Sequence, residues 1–405
     1  MRLAFLLTQS LESPSGLGRY WPLSKELVRL GHEVIILALH HDFHAVDQRS
    51  FTRDGVQVHY VGQMHVHKTG NRKEYFCPTH LIWITALGTW RLTRAALQVP
   101  ANVIHLAKPH PMNGLAGLAA CRLRGKHLYL DCDDYEAESN YFNGKWQRQG
   151  VIFFEDRLPL QAHGITTNTH FMAQRLQGLG VSTERIVYIP NGVDRTRFSR
   201  PDPKRVVALR TELGLNGHPV VCYLGSLSPA SHAVDLLVEA FVLLSQRVPE
   251  ARLLLVGGGE AYESLQQQAQ AAGVSERTAF VGRVVPERVI DYYHLANVSV
   301  DPVCDDLAAR ARSPLKLFES WAAGIPFVTA DVGDRRELLG DPPAGLLAVP
   351  GDAESLAAAI SEVLQNPDLA NTLKRRGQER VRSFYWEQLV KDFVRVYQAS
   401  SLCCM

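Results

Sequence analysis

One pattern leaves this chain little freedom over its fold. Short apolar runs of strand length alternate with helical stretches, and the alternation restarts halfway along. The first half opens with LAFLLTQ, a loop SLESPSGLGRYW, and PLSKELVRLGHEVIILAL, in which the helical spacing ends at Gly31 and a second strand starts near Val34. Further strands are expected at 56–61, 103–106 and 127–130, with GLAGLAACRLRG among the helices between them, followed by GITTNTHFMAQRLQGLG and RIVYIP. Alternation of this kind is the signature of a parallel sheet covered on both faces. After the polar, proline-bearing NGVDRTRFSRPDPKR the pattern begins again with VVCYLGSLSP, AVDLLVEAFVLLSQRVP, ARLLLVGGG, YESLQQQAQAAG, TAFVGRV, PERVIDYYHLA and VSVDPV. The expected class is α/β, with two doubly wound domains and a cleft between them, residues 1–195 and 196–383, and a linker near 192–205.

Bulk properties narrow the function. A chain of 405 residues has room for two domains, and 46% hydrophobic residues with a formal net charge of +2 exclude a disordered chain and a nucleic-acid-coating surface. Seven cysteines without a CxxC pair argue against a disulfide scaffold or zinc knuckle; most are expected as small core side chains, with Cys403 and Cys404 in the tail. The apolar run 3–7 is too short for a signal peptide, and no stretch approaches the ~20 apolar residues of a membrane span. A cytoplasmic setting is expected, with peripheral contact at the inner membrane face left open.

Chemistry-bearing residues fall at the ends of the expected strands. In SPLKLFESWAAGIPFVTA, Ser313 can cap a helix and Pro314 fits its first turn. Leu315, Phe318 and Ala322 repeat at helical spacing, and Gly324 and Pro326 stop the helix. Lys316 and Glu319 stand in its opening turns. A lysine there opposes the helix dipole, so a bound anion is one reason for it, and one-turn pairing with Glu319 is the plainer one. A pyrophosphate would meet Lys316, Glu319 could accept from a ribose diol, and Arg310, Arg312 and Ser313 could add donors. Gly16 and Gly18 follow the first strand without completing a dinucleotide fingerprint. Gly257 opens a glycine run after RLLLV, and Gly282-Arg283 end another strand; each reads equally as a turn or as backbone that approaches a ligand. Asp131, Asp133 and Asp134 form a DxD-like cluster open to metal, catalytic or structural readings.

Together these stretches resemble the retaining glycosyltransferases of the GT-B fold, in particular family 4. The resemblance rests on SGLGRYWPLSKELVRLGHEV, IPNGVD, YLGSLSPASHAVDLLVEAF, LLLVGGGE, PLKLFESWAAGIPFVTA, PGDAESLAAAI and SFYWEQL. It implies a UDP- or GDP-linked sugar held mainly by the second domain, at Gly225, Ser226, His232, Gly257, Gly282, Arg283, Arg312, Ser313, Pro314 and Leu315, with Gly16 and Gly18 near the phosphates. Lys316, Glu319 and Asp133 are the implied catalytic residues, and Asp134 and Asn168 lie on the acceptor side. No metal, no cofactor and no nucleic-acid partner is implied. The terminal helix, 384–398, is expected to pack back on the first domain.

The departures from the family pattern matter. Ser226 stands where an arginine is usual, His232 near a usual lysine, Ala311 at the first glutamate of a Glu-x7-Glu pair, and Asp133 where a histidine is usual. Two readings follow. One is a working transferase for a glycan or lipid-linked acceptor, in cell-surface polysaccharide synthesis, with Lys316 and its neighbours supplying the lost charge. The other is a catalytically impaired nucleotide-sugar-binding or scaffold protein. A GT-B-like epimerase or phosphorylase is disfavoured, since no lysine stands in a frame for a pyridoxal cofactor. Trp21, Tyr75, Phe76, Trp83 and Trp90 are each expected in the core; with Arg72, Lys73, Arg91 and Arg94 beside them, they would alternatively suit a glycan or an anionic lipid surface.

Overall fold

The computed structural model describes residues 1–398 except 143, 199, 230 and 231; Cys403 and Cys404 lie outside it, as do the side chains of residues 68, 69 and 72–74, including Arg72 and Lys73. The residues group into two compact units, the first comprising 1–69, 73–192 and the chain from 386 onward, the second 70–72 and 193–385.

The first unit carries β1 (Arg2–Leu7), β2 (Glu33–His40), β3 (Ser50–Arg53), β4 (Val56–Gln63), β5 (Val66–Thr69), β6 (Arg72–Tyr75), β7 (Val103–Leu106), β8 (His127–Cys132), β9 (Gly164–Thr167) and β10 (Ile186–Tyr188). Eight of them form one sheet in the order β10-β9-β8-β7-β1-β2-β4-β3, with β5 and β6 as a separate pair. Only β3 runs antiparallel in the large sheet, against β4. The central β1 is apolar from Leu3 to Leu7 because helices cover both its faces, whereas β4, nearer the edge, buries Val56, Val58 and Tyr60 on one face and leaves Gln57 exposed between them. Strand order reverses between β1 and β7, and that reversal opens a crevice at the strands' carboxyl ends.

The helix Trp386–Phe393 belongs to this unit, and its sequence shows why. Trp386, Leu389, Val390 and Phe393 recur at i, i+3, i+4 and i+7, and all are buried in the first unit's core. The Trp386 indole N–H donates to the Gly18 carbonyl at 2.9 Å, and the next helix, Arg395–Gln398, brings the Tyr397 hydroxyl to 2.8 Å from His105 Nδ1 on β7. The rings of Phe5 and Phe393 stack on His105 at 5.0 and 5.3 Å.

The second unit holds β11 (Val220–Leu224), β12 (Arg252–Val256), β13 (Thr278–Gly282), β14 (Val298–Asp301), β15 (Phe327–Ala330) and β16 (Leu346–Ala348), in the order β13-β12-β11-β14-β15-β16 and all parallel. Here the order reverses between β11 and β14. Where β12 leaves the sheet, Gly257 has φ +148°, and a Cβ there would lie 1.8 Å from the Gly225 carbonyl oxygen, so only glycine fits. The helix expected from Ser313 begins one residue later than its cap assignment. Pro314 is the boundary residue, Leu315–Ala323 is helical, and Gly324 at φ +71° ends it. The cysteine expectation needs correction: Cys132 and Cys222 are buried, but Cys77 and Cys304 are exposed.

His105 gives the first unit a pH dependence. Burial, opposed by Asp131 and reinforced by Arg19, lowers its pKa to about 4. Between that value and histidine's ordinary ~6.5, the unfolded chain binds a proton that the folded chain refuses, so stability falls as pH falls through this window. His105 alone contributes a loss of about 2–3 kcal/mol on going from pH 7 to pH 4.5, against the buried Glu155, whose carboxyl is pushed up to about 8 and gains stability over the same range. Urea melts at the two pH values check it. His105→Phe should weaken the fold at pH 7 and shift the stability difference between the two pH values by that amount relative to the unsubstituted protein, and an unshifted difference would contradict the role given to His105.

Candidate functional site

The carboxyl ends of β11 and β14 assemble an ionic cluster in the second unit. VSVD ends with Asp301 fully buried, and that carboxylate is met from two sides. Lys316 Nζ donates to Oδ1 at 2.8 Å, while Arg335 Nη2 and Nε donate to Oδ2 at 3.0 and 3.3 Å. Arg335 also donates to the carbonyls of Ala309 and Val332, which locks the segment leading into the Leu315–Ala323 helix. Burial pushes the Asp301 carboxyl up, but Lys316, Arg335 and Arg312 outweigh it and hold Asp301 well below the usual carboxylate range. Burial holds the Lys316 ammonium below its ordinary value; Asp301 opposes that, and Arg312 and Arg335 add to it.

Lys316 therefore does not stand free for a guest, as its place in the helix suggested. One of its N–H donors is already given to Asp301. The cluster nevertheless holds more positive charge than Asp301 can neutralise. Arg312 stands within electrostatic reach of Asp301 and Lys316, and its Nε and Nη1 are buried with no hydrogen-bond partner among the described residues. Beside it His232 has lost its charge through burial, helped by Arg312 and Lys316, and its Nδ1 also lacks a partner among the described residues. The Tyr223 hydroxyl donates to the Ser226 carbonyl at 2.7 Å, and its ring lies 5.0 Å from Lys316 Nζ. Two unpaired Arg312 donors beside two fixed cations leave positive charge that Asp301 does not neutralise, an arrangement that suits an anion.

Glu319 sits one turn further along the helix. Its Oε2 accepts from the Tyr293 hydroxyl at 3.0 Å, and its Oε1 lies 3.7 Å from Arg197. Burial raises its pKa, opposed by Arg197, Tyr293 and Lys316. Three of the candidate glycines already have their N–H groups bonded within the chain. The N–H of Gly225 donates to Val256, that of Gly257 to Gly282, and that of Gly16 to Ser13 Oγ. Their role is close approach: a Cβ on Gly259 would meet the Leu227 carbonyl at 2.3 Å, and one on Gly16 the Ser10 carbonyl at 2.4 Å. Arg283 ends the same edge, with its guanidinium held below the ordinary value by burial.

The first unit gathers a group of opposite character at its own strand reversal. Lys108 follows β7 with φ +145°, a conformation that costs a non-glycine residue about 1–3 kcal/mol. Its carbonyl accepts from Asn113 Nδ2 at 2.9 Å, and its ammonium reaches Glu136 at 2.5 Å, Asp134 at 2.8 Å and Asp133 at 3.2 Å. His110 Nε2 lies 3.0 Å from the second Glu136 oxygen. Burial works against the charge of Lys108, yet the three acids hold it well above lysine's ordinary pKa. Burial raises the Asp133 carboxyl, with Lys108 opposing, whereas Lys108 and His110 overcome burial at Glu136 and keep it low. Asn168 Oδ1 is a buried acceptor without a hydrogen-bond partner among the described residues, while Asp133 Oδ1 faces the Lys108 ammonium at 3.2 Å.

The DxD-like cluster does not converge on one point. Asp131 turns to Arg19, with bonds of 2.6 and 2.8 Å between two fully buried side chains, and accepts from Thr166. Arg19 also donates to Ile189 and Asn191, so this pair fastens the unit's interior. Asp133, Asp134 and Glu136 lie close enough together to ligate a metal, but the cation at their centre is the Lys108 ammonium. Glu12, His40 and His41 are also near one another; His40 Nδ1 accepts the Asp42 N–H, which leaves its proton on Nε2, facing Glu12 and unsuited to a metal.

Sequence reasoning missed Asp301, Arg335, Lys108, Glu136, Tyr293 and Arg197. Two had a visible signal: Asp301 closes VSVD and Lys108 closes VIHLAK, each a charge ending an apolar strand before a proline. Arg335 had none, because its partner lies 34 residues away.

Comparison with known proteins bears on the whole chain. The model for Glycosyltransferase Family 4 matches residues 16–197, and that for Glycosyl transferases group 1 matches residues 208–380. The D-inositol 3-phosphate glycosyltransferase of Nocardia farcinica is 30% identical over 255 residues, 61% of this chain and 54% of that protein. The chain spans about half the length of the curated relatives it matches first. A sucrose-phosphate synthase from Thermosynechococcus elongatus superposes with a TM-score of 0.76 at 20% identity, covering 100% of both chains. Anabaena Alr3699/HepE in complex with UDP-glucose superposes with a TM-score of 0.71 at 17% identity, again over 100% of both.

The ionic cluster makes a stability prediction. Asp301→Asn strands two buried cations and should cost about 3–5 kcal/mol. Lys316→Met leaves the Arg335–Asp301 bonds in place and should cost clearly less. Chemical denaturation separates the two, and equal losses would contradict the central place given to Asp301.

Proposed function

The chain belongs to the group 1, family 4 glycosyltransferases of the GT-B fold, and on that premise we propose that it transfers a sugar, with retention, from a nucleoside-diphosphate donor to a glycan or glycolipid acceptor. The observation that carries this reading is the surplus of buried positive charge around Asp301, with Arg312 and His232 unsatisfied beside it. A diphosphate supplies the two or more negative oxygens that such a surplus lacks. The nucleotide bound by Anabaena Alr3699/HepE, UDP-glucose, is a donor of this type, and the Nocardia farcinica relative is named for D-inositol 3-phosphate, a phosphorylated polyol. UDP- and GDP-sugars are the donors proposed here, in the setting of cell-surface polysaccharide or glycolipid assembly.

In this mechanism the leaving group does most of the work. As the bond between sugar and phosphate lengthens, charge builds on the diphosphate, and Lys316 and Arg312 stabilise it where it builds. They are positioned before the donor arrives, so little reorganisation is needed at the moment of reaction. Glu319 exchanges its loose Arg197 contact for the ribose hydroxyls. In the first unit the unpartnered Asn168 Oδ1, and the Asp133 carboxylate beside Lys108, suit hydroxyl donors of a sugar or acceptor, and Lys108 with Glu136 fixes their surroundings. The departing phosphate takes the acceptor's proton, so no separate general base is required. Lys316 and Arg312 thus stand in for the charge lost at Ser226 and His232.

Calorimetric titration with UDP-, GDP- and ADP-sugars tests the reading. At least one donor should bind saturably, and Arg312→Ala and Lys316→Ala should each weaken it by about 10–100-fold, as expected for a charge-assisted bond of ~1.5–3 kcal/mol. Binding of none, or an affinity unmoved by both changes, contradicts the assignment. Binding without turnover on any acceptor would favour the impaired donor-binding protein instead.

A further inference from the structure

Three neighbouring helices of the first unit turn large apolar side chains toward solvent. The helix Pro78–Gln98 exposes Ile82, Trp83 and Trp90, the helix Pro111–Arg124 exposes Leu115, and the helix Lys145–Gln161 exposes Trp146 and Phe153. The four aromatics among them are between 54% and 63% exposed. This corrects the expectation that Trp83 and Trp90 lie in the core; Trp21 does, at 7% exposure. The helices are packed side by side. A Cβ at Gly88 would lie 3.5 Å from Met112 of the second helix, and one at Gly114 would touch Leu158 and Phe154 of the third. The rings of Tyr75, ahead of the first helix, and Tyr141, ahead of the third, lie 5.5 Å apart and link their starts.

Charge distinguishes this face from an ordinary exposed patch. No aspartate or glutamate occurs between Glu74 and Asp131, although the chain has 41 acids in 405 residues, so the first two helices carry only positive or neutral side chains. Arg94 is exposed with its guanidinium 5.8 Å above the Trp90 ring, Arg91 lies beside Phe43 at 5.2 Å, and Lys145 is exposed next to Trp146. No helix among the described residues is long and apolar enough to cross a membrane. Tryptophans backed by arginines, on two helices free of acids, suit the headgroup level of a bilayer, where the ring sits at the boundary and the cation meets lipid phosphate; the third helix adds Glu155, which is buried, and Asp156, which is paired with Arg175.

We propose that this three-helix face docks the protein on the surface of an anionic phospholipid bilayer, with Trp83, Trp90, Trp146 and Phe153 entering the interface and Arg91 and Arg94 meeting the phosphates. The proposal does not depend on the transferase reading, and it fails separately from it.

Co-sedimentation of the full chain with vesicles tests it, comparing equimolar phosphatidylglycerol and phosphatidylcholine with phosphatidylcholine alone. Binding is expected to the anionic vesicles, to fall with added salt, and to be quenched in tryptophan fluorescence by bromine-labelled acyl chains. Trp83→Ser with Trp90→Ser should weaken partitioning roughly tenfold or more, and Arg91→Gln with Arg94→Gln should reduce the preference for anionic lipid. All four positions are at least partly exposed, so circular dichroism should show an unchanged fold. Equal sedimentation of the tryptophan variant overturns the proposal. So does a lack of quenching, or a concentration-dependent dimer abolished by the same substitutions in a protein that ignores vesicles.

Discussion

A carboxylate at the end of an interior strand, away from water, must be neutralised, and the second unit is arranged around that requirement. Asp301 recruits Lys316 from one helix and Arg335 from another segment. Arg335 in turn holds the Ala309 and Val332 carbonyls, so one buried anion fixes the approach to the Leu315–Ala323 helix. Burying a single pair seldom gains stability over an apolar contact. What the arrangement gains is position: Lys316 is held still while Arg312 and His232 remain unsatisfied.

The two units solve related problems with opposite signs. Both place charge where strand order reverses, β1 against β7 and β11 against β14. In the second unit one acid is outnumbered by cations, which suits phosphate. In the first, one lysine is outnumbered by Asp133, Asp134 and Glu136, and a spare acceptor remains at Asn168, which suits hydroxyls. The positive φ of Lys108 is consistent with a site where backbone strain is accepted because the surroundings over-determine it.

Much of the fold was legible because periodicity and punctuation report on burial directly. The apolar run of β1, the alternation in β4, Gly324 at the helix end and the i, i+3, i+4, i+7 stripe of the terminal helix each have a local cause. The site was legible only in part. Lys316, Glu319 and Arg312 could be named because helix position and family resemblance point to them. What neutralises Lys316 could not, since the Asp301–Arg335 contact depends on how distant segments meet. What the glycines approach was hidden for a related reason: a sequence shows that a backbone must come close to something, but not that at Gly257 the something is the Gly225 carbonyl. The exposure of Trp83 and Trp90 was hidden because a tryptophan in an amphipathic helix looks the same on either face.

Family membership and the charge surplus support one proposal, that the cluster around Asp301 receives the diphosphate of a donor. A crystal structure with a bound nucleoside diphosphate tests this most directly. The account predicts phosphate oxygens within hydrogen-bond distance of Lys316 Nζ and the unpaired nitrogens of Arg312, with Asp301 still held by Arg335. Phosphates bound elsewhere, with Arg312 unpaired and Lys316 unchanged on Asp301, would contradict it.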